Sequence, residues 1–190
     1  MGVLNVTADS FSDGGQFLDA ESAVAHAHAM AADGAEIIDV GGESTRPGAE
    51  PVPVAEELRR VLPVIERLSD DPRFVISIDT MKPDVACAAV ESGAAIVNDV
   101  TGFRDREMRR IVAETGAGAV VMHMQGTPRT MQVAPRYDDV IAEIRDFFRQ
   151  SFDACLASGI NPMCLSFDPG IGFGKTVDHN LRLLRDLEQT

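Results

Sequence analysis

The chain has 190 residues, 45% apolar and 25% charged, with 30 acids against 17 bases and a formal net charge of -13. That composition is globular, long enough for one good core and short for two. The acidic field repels nucleic acid and anionic membrane surfaces and argues against both as main partners, so any anionic substrate needs a local cluster of cations.

In chain order, short apolar runs recur: GVLNV (2–6), EIIDVGG (36–42), FVISIDT (74–80), AIVNDV (95–100), AVVMHM (119–124) and MCLSFDPG (163–170). They have strand length, are rich in Val and Ile and do not alternate, which predicts strands buried on both faces of a parallel sheet. Between them lie helical patterns. Val54, Leu58, Val61, Leu62, Ile65 and Leu68 fall at helical spacing, with Pro63 inside the pattern and a kink expected there. Pro83 stands where a first helical turn begins. Val140, Ile144, Phe147, Phe148, Ser151 and Cys155 form another helical face. Gly34, Gly93, Gly116 and Gly159 each follow a helical pattern and predict its stop.

No basic leader opens the chain, and no stretch approaches the ~20 apolar residues of a membrane span. Cys87, Cys155 and Cys164 show no metal spacing and read as small buried hydrophobes in a reducing compartment. A cytoplasmic location is expected.

The order is therefore β-α six times, with no linker or composition break, and predicts one α/β domain over 1–190. An open doubly wound sheet and a (β/α)₈ TIM-type barrel both fit alternating β and α. Nearly every strand runs into a polar residue at its C-terminal end: Asn5, Asp39, Asp79, Asn98 with Asp99, His123 and Asp168. Polar ends all round describe a ring about one mouth, which favours the barrel. That barrel needs eight units and typically ~250 residues, and only about six βα units are present here.

Two long loops, NVTADSFSDGGQF (5–17) and GGESTRPGAEPVP (41–53), follow strands and are rich in Ser, Asp and Gly. Loops of this length are usually functional, although plain turn chemistry also accounts for their composition. Asp79, Asn98 and Asp168 end three strands. Two carboxylates and an amide suit a flat heterocycle rich in N–H groups, the competing reading being that each caps the next helix. His123 has no second histidine at metal-ligand spacing, and His26 and His28 point to different faces of a helix, so no zinc site is expected. FDPGIGFGKT (167–176) has the look of a phosphate loop, but a nucleotide P-loop requires glycine where Pro169 stands.

Taken together, these segments closely resemble dihydropteroate synthase, the folate-pathway family inhibited by sulfonamides: MGVLNVTADSFSDGG, IIDVGGESTRPGA, ISIDT, IVNDV, VVMHMQGTPRTMQ and FDPGIGFGKT follow the family's order and spacing over essentially the whole chain. The resemblance implies a (β/α)₈ barrel that joins p-aminobenzoate to dihydropterin pyrophosphate and releases pyrophosphate with Mg²⁺. It implies pterin binding at Asp79, Asn98, Met122, Asp168 and Phe173. It places Asn5 on Mg²⁺ and pyrophosphate, Thr45 and Arg46 at the phosphates, and Phe11 and Pro47 at the p-aminobenzoate pocket. Asp13 would steady developing positive charge, which makes Asp13 and Arg46 the catalytic candidates. Two departures stand out. Ala8 replaces the family's usual proline. Nothing in the chain matches the family's seventh and eighth strands, which carry a lysine for the pterin and an arginine and a histidine for the pyrophosphate. The family is usually a homodimer formed by late helices, which also have no match. A fragment that only binds pterin weakly is the alternative to an active synthase. A methyltetrahydrofolate-binding methyltransferase domain shares the pterin acids, but would not be expected to carry the FSDGG and STRPGA loops.

Overall fold

The structure, a computed structural model, describes residues 1–6, 15–46 and 48–190, without the side chains of residues 15–19. Six strands and six α-helices alternate: β1 (Gly2–Asn5), α1 (Gly15–Ala32), β2 (Ile37–Gly41), α2 (Val54–Ser69), β3 (Val75–Asp79), α3 (Pro83–Glu91), β4 (Ile96–Asp99), α4 (Arg106–Thr115), β5 (Gly118–Met122), α5 (Val140–Ala157), β6 (Leu165–Asp168) and α6 (Val177–Arg185). Within each of the two units described next, strand order follows chain order. The chain divides into two compact units, residues 1–44 with 50–98 and residues 45–49 with 99–190.

In the first unit β1, β2, β3 and β4 pair in parallel. The predicted unbroken apolarity needs correcting. Successive strand residues point to opposite faces. One face carries Leu4, Ile38, Val40, Ile76, Ile78 and Val97, all essentially buried. The other alternates with it and carries Asn5, Asp39, Gly41, Ser77, Asp79 and Asn98. A strand packed by helices on one side and bearing polar groups on the other still looks apolar when its runs are this short. Helix α2 packs on β2 and β3, burying Val61, Val64, Ile65 and Leu68. Each such side chain contributes about 1.5–3 kcal/mol of transfer free energy. The helix continues through Pro63 to Ser69.

In the second unit β5 and β6 pair in parallel. A cluster of Val140, Ile141, Ile144 and Leu183, flanked by Tyr137 and Phe148, joins α5 to α6. Pro83 opens α3, and the four predicted stop glycines all have positive φ. The cysteine expectation holds only for Cys155. Cys87 and Cys164 are half-buried, because Cys87 turns towards Glu91 on the outer side of α3 and Cys164 lies in a 3-10 turn before β6. Among the described residues no helix is long and apolar enough to cross a membrane.

Candidate functional site

Strand register in the first unit sets Asn5 opposite Gly41, Gly41 opposite Asp79 and Asp79 opposite Asn98. The four form a row across the strand ends. Gly41 contributes only backbone there. A Cβ on it would lie 3.4 Å from Asp79 Oδ2 and 3.6 Å from Asn5 Oδ1, so the two polar groups flank the bare position. Asp39 belongs one level lower. It is the middle residue of β2 rather than its end, facing Ser77 in register. Asp39 is 4% exposed, and its carboxylate accepts a 3.0 Å hydrogen bond from Asn98 Nδ2. Burial pushes its pKa up, and Ser77 and Asn98 offset that only in part. Ser77 Oγ lies beside it without a well-formed hydrogen bond, and Asp39 Oδ1, Ser77 Oγ and Asn98 Oδ1 are all buried with no partner among the described residues.

The loop after β2 is anchored by a buried ionic network that sequence reasoning missed. Glu57 on α2 is fully buried, accepts from Thr80 Oγ1 at 2.7 Å and pairs with Lys82. Lys82 also pairs with Glu43, which in turn accepts from Val52 N at 3.2 Å. Arg60 donates to Gly42 O at 2.9 Å. Burial opposes the charge of Lys82, but the two carboxylates outweigh it and its pKa rises. The only sequence signal was Glu57 at an inward position of the α2 face. Thr45 is half-buried and Arg46 exposed in this loop.

In the second unit Met122 stands opposite Asp168, with Met122 4% exposed. Asp168 Oδ1 accepts from Gly170 N at 2.7 Å, which turns the chain sharply after β6. Gly170 has φ +67°, and a Cβ there would lie 2.1 Å from His123 O, so no other residue fits. Lys175 settles the resemblance to a phosphate loop. Its ammonium is turned inward onto three carbonyls, Phe173 O at 2.8 Å, Gly170 O at 2.9 Å and His123 O at 3.2 Å, and lies 3.2 Å from His123 Nδ1. Thr176 caps α6 in a reciprocal box with His179. Neither the Lys nor the Thr of a phosphate cradle is available for that task. Burial lowers Lys175 to about 8, against the pull of Asp168. His123 is held at about 3 by burial first, then by Lys175 and Arg104. It packs against Phe147 and Tyr137 and is a neutral core histidine.

The capping alternative for the three strand-end residues fails. The N-caps of α3, α4 and α6 are Lys82, Asp105 and Thr176. Asp79, Asn98 and Asp168 therefore stand at strand ends without serving those helices. Asp99, next to Asn98, does have a structural duty: it accepts from Thr101 N at 2.8 Å and Phe103 N at 2.9 Å, closing the turn after β4. Phe173 is half-buried in the turn after Asp168. Phe11, Asp13 and Pro47 lie outside the described residues.

The sequence profile of the family described as "Pterin binding enzyme" matches residues 1–190. The dihydropteroate synthase of Escherichia coli K12 is 49% identical over 189 residues, covering 100% of this chain and 67% of that protein. The Xanthomonas albilineans dihydropteroate synthase solved with 4-aminobenzoic acid superposes with a TM-score of 0.90 at 49% identity, over 98% of this chain and 66% of that one. The Yersinia pestis dihydropteroate synthase solved with a sulfonamide drug complex gives 0.92 at 44% identity, over 100% and 69%. The chain thus spans about two thirds of the length of these relatives. Its six βα units agree with the (β/α)₈ type expected from the sequence.

Proposed function

The chain belongs to the family of pterin-binding enzymes, and on that premise we propose dihydropteroate synthase activity for the protein: condensation of dihydropterin pyrophosphate with p-aminobenzoate, acting on small molecules in the cytoplasm. The observation that carries the reading is the row Asn5–Gly41–Asp79–Asn98 across the strand ends, in which Asp79 and Asn98 do not cap the helices that follow them. Asp79, Asn98 and Asp168 are suited to a pterin because its edge offers adjacent N–H donors that carboxylates and an amide oxygen accept. Met122 and Phe173 supply apolar surface for the ring. Thr45 and Arg46 are proposed to hold the phosphates, with Phe11 and Pro47 shaping the p-aminobenzoate pocket.

Asp13 is proposed to stabilise positive charge on the pterin methylene as pyrophosphate departs, and Arg46 to neutralise the leaving group. The neutral arylamine then attacks the methylene, and no protein nucleophile is required. Mg²⁺, when bound, supplies charge neutralisation at the pyrophosphate. Asn5 would hold it through its amide oxygen. Among the described residues no group of three His, Cys, Asp or Glu could hold a metal. A single neutral amide oxygen such as that of Asn5 suits an ion carried mainly by phosphate oxygens and water, as Mg²⁺ often is. Homodimer formation is proposed from the family resemblance alone.

The test is a synthase assay on the full-length protein with dihydropterin pyrophosphate and p-aminobenzoate, following dihydropteroate and pyrophosphate together. Stoichiometric formation of both is expected, with Asp168→Asn reducing kcat/KM by about tenfold or more. A folded protein that forms neither, yet binds methyltetrahydrofolate, would favour the methyltransferase-type reading.

A further inference from the structure

Among the described residues, four buried side-chain polar atoms lack a hydrogen-bond partner, and three of them, Asp39 Oδ1, Ser77 Oγ and Asn98 Oδ1, belong to one cluster on one sheet face. Folded proteins rarely leave buried polar atoms unpaired, and a group of them in neighbouring strands calls for an explanation. The cluster has a definite polarity. An ionised carboxylate only accepts hydrogen bonds, whereas an amide has a donor end and an acceptor end. Asp39 Oδ2 therefore takes the Nδ2 end of Asn98, at 3.0 Å, and the Oδ1 end must face elsewhere.

We infer that Asp39 is a positioning residue for heterocycle recognition: by holding Asn98 at its Nδ2 end, it turns the Asn98 amide oxygen, an acceptor, toward the N–H edge of the bound pterin. The inference rests on the pterin-binding reading and deepens it, by stating which end of Asn98 meets the ligand and what sets it. Without Asp39 the amide can rotate by half a turn and present a donor, which an N–H edge cannot pair. The device costs stability. A buried carboxylate with one orphaned oxygen is unfavourable, and burial indeed disfavours the charged form of Asp39. A residue kept for packing alone would not carry that cost. A neutral isostere at this position should therefore leave the fold as stable or make it more stable, while weakening the ligand.

The experiment uses the full-length protein and 6-hydroxymethylpterin as a fluorescent probe, with Asp39→Asn, Asn98→Ala and the double variant. An amide at residue 39 can accept or donate, so it no longer dictates how Asn98 turns. Asp39→Asn is expected to weaken probe binding by about tenfold, with the thermal midpoint unchanged or raised and the KM for p-aminobenzoate unchanged. In the Asn98→Ala background the same substitution should have no further effect on affinity, because Asp39 acts through Asn98. Undiminished binding by Asp39→Asn overturns the inference. So does a loss that tracks a fall in thermal midpoint, or one that adds in full to that of Asn98→Ala. In each of those cases the pterin reading stands, since wild-type binding is measured alongside. A folded wild-type protein that does not bind the probe removes both.

Discussion

His123 and Lys175 share a small buried space in which only one of them is charged. Burial, Lys175 and Arg104 hold the imidazole at about 3, whereas an unfolded histidine titrates near 6.5. As pH falls below about 6.5 the unfolded chain takes up a proton that the folded protein refuses. Stability is then fully present above that value and is lost as the pH drops towards 3. Replacing His123→Gln removes this coupling. The difference in urea midpoint between pH 7 and pH 4 is expected to shrink, by an amount on the order of 2 kcal/mol in unfolding free energy; an unaltered difference would show that His123 is not the group responsible. At this scale the sequence was partly legible. Asp79, Asn98 and Asp168 announced themselves as polar residues ending apolar runs. Asp39 also reads as the polar end of its run, whereas strand register puts it in the middle of β2, a level lower, against Ser77 and Asn98. Lys175 gave a misleading signal. A lysine beside glycines suggests an outward-facing phosphate ligand, and nothing in one dimension tells that its ammonium turns inward onto carbonyls.

At the level of elements, the join between α2, the start of α3 and the loop after β2 depends on Lys82 standing between Glu43 and the fully buried Glu57. Removing one partner of a buried pair leaves the other charge uncompensated, which is more harmful than removing both. Lys82→Met is expected to destabilise the protein by about 3 kcal/mol, near the lower end for such pairs, because the Lys82 side chain remains 20% exposed. The double variant Lys82→Met with Glu57→Gln should recover much of that loss. Chemical denaturation of the three proteins checks it, and a double variant that sums the single losses would contradict it. The strands, the two long helices and the four glycine stops were readable because each depends on local periodicity or a local φ requirement. The anchoring network was not, because Glu57, Thr80 and Lys82 meet only through tertiary packing. A glutamate on an amphipathic helix is ordinarily solvated.

For the whole molecule, the acidic composition and parallel α/β order were visible in the residues, and the similarity to solved dihydropteroate synthases agrees with that fold. Surface chemistry was less visible. Val177, Leu181, Leu184 and Leu187 recur at helical spacing along α6 and the turn beyond it, and all are more than half exposed. Such a stripe is larger than the scattered apolar residues normal to a monomer. The 190-residue chain alone is expected to self-associate at micromolar concentration, and Leu181→Glu with Leu184→Glu to suppress this. Light scattering across a dilution series reads it, and a monodisperse wild-type chain would refute it.

Both lysines of these 190 residues are tucked away, Lys82 between two carboxylates and Lys175 beneath its ring of carbonyls. Amine-reactive reagents therefore find few targets on the native surface of this stretch. Acylation of Lys175 must wait until the turn that covers it lifts away, so the rate at which that adduct accumulates in a mass spectrum becomes a clock for the local opening of the loop that presents Asp168.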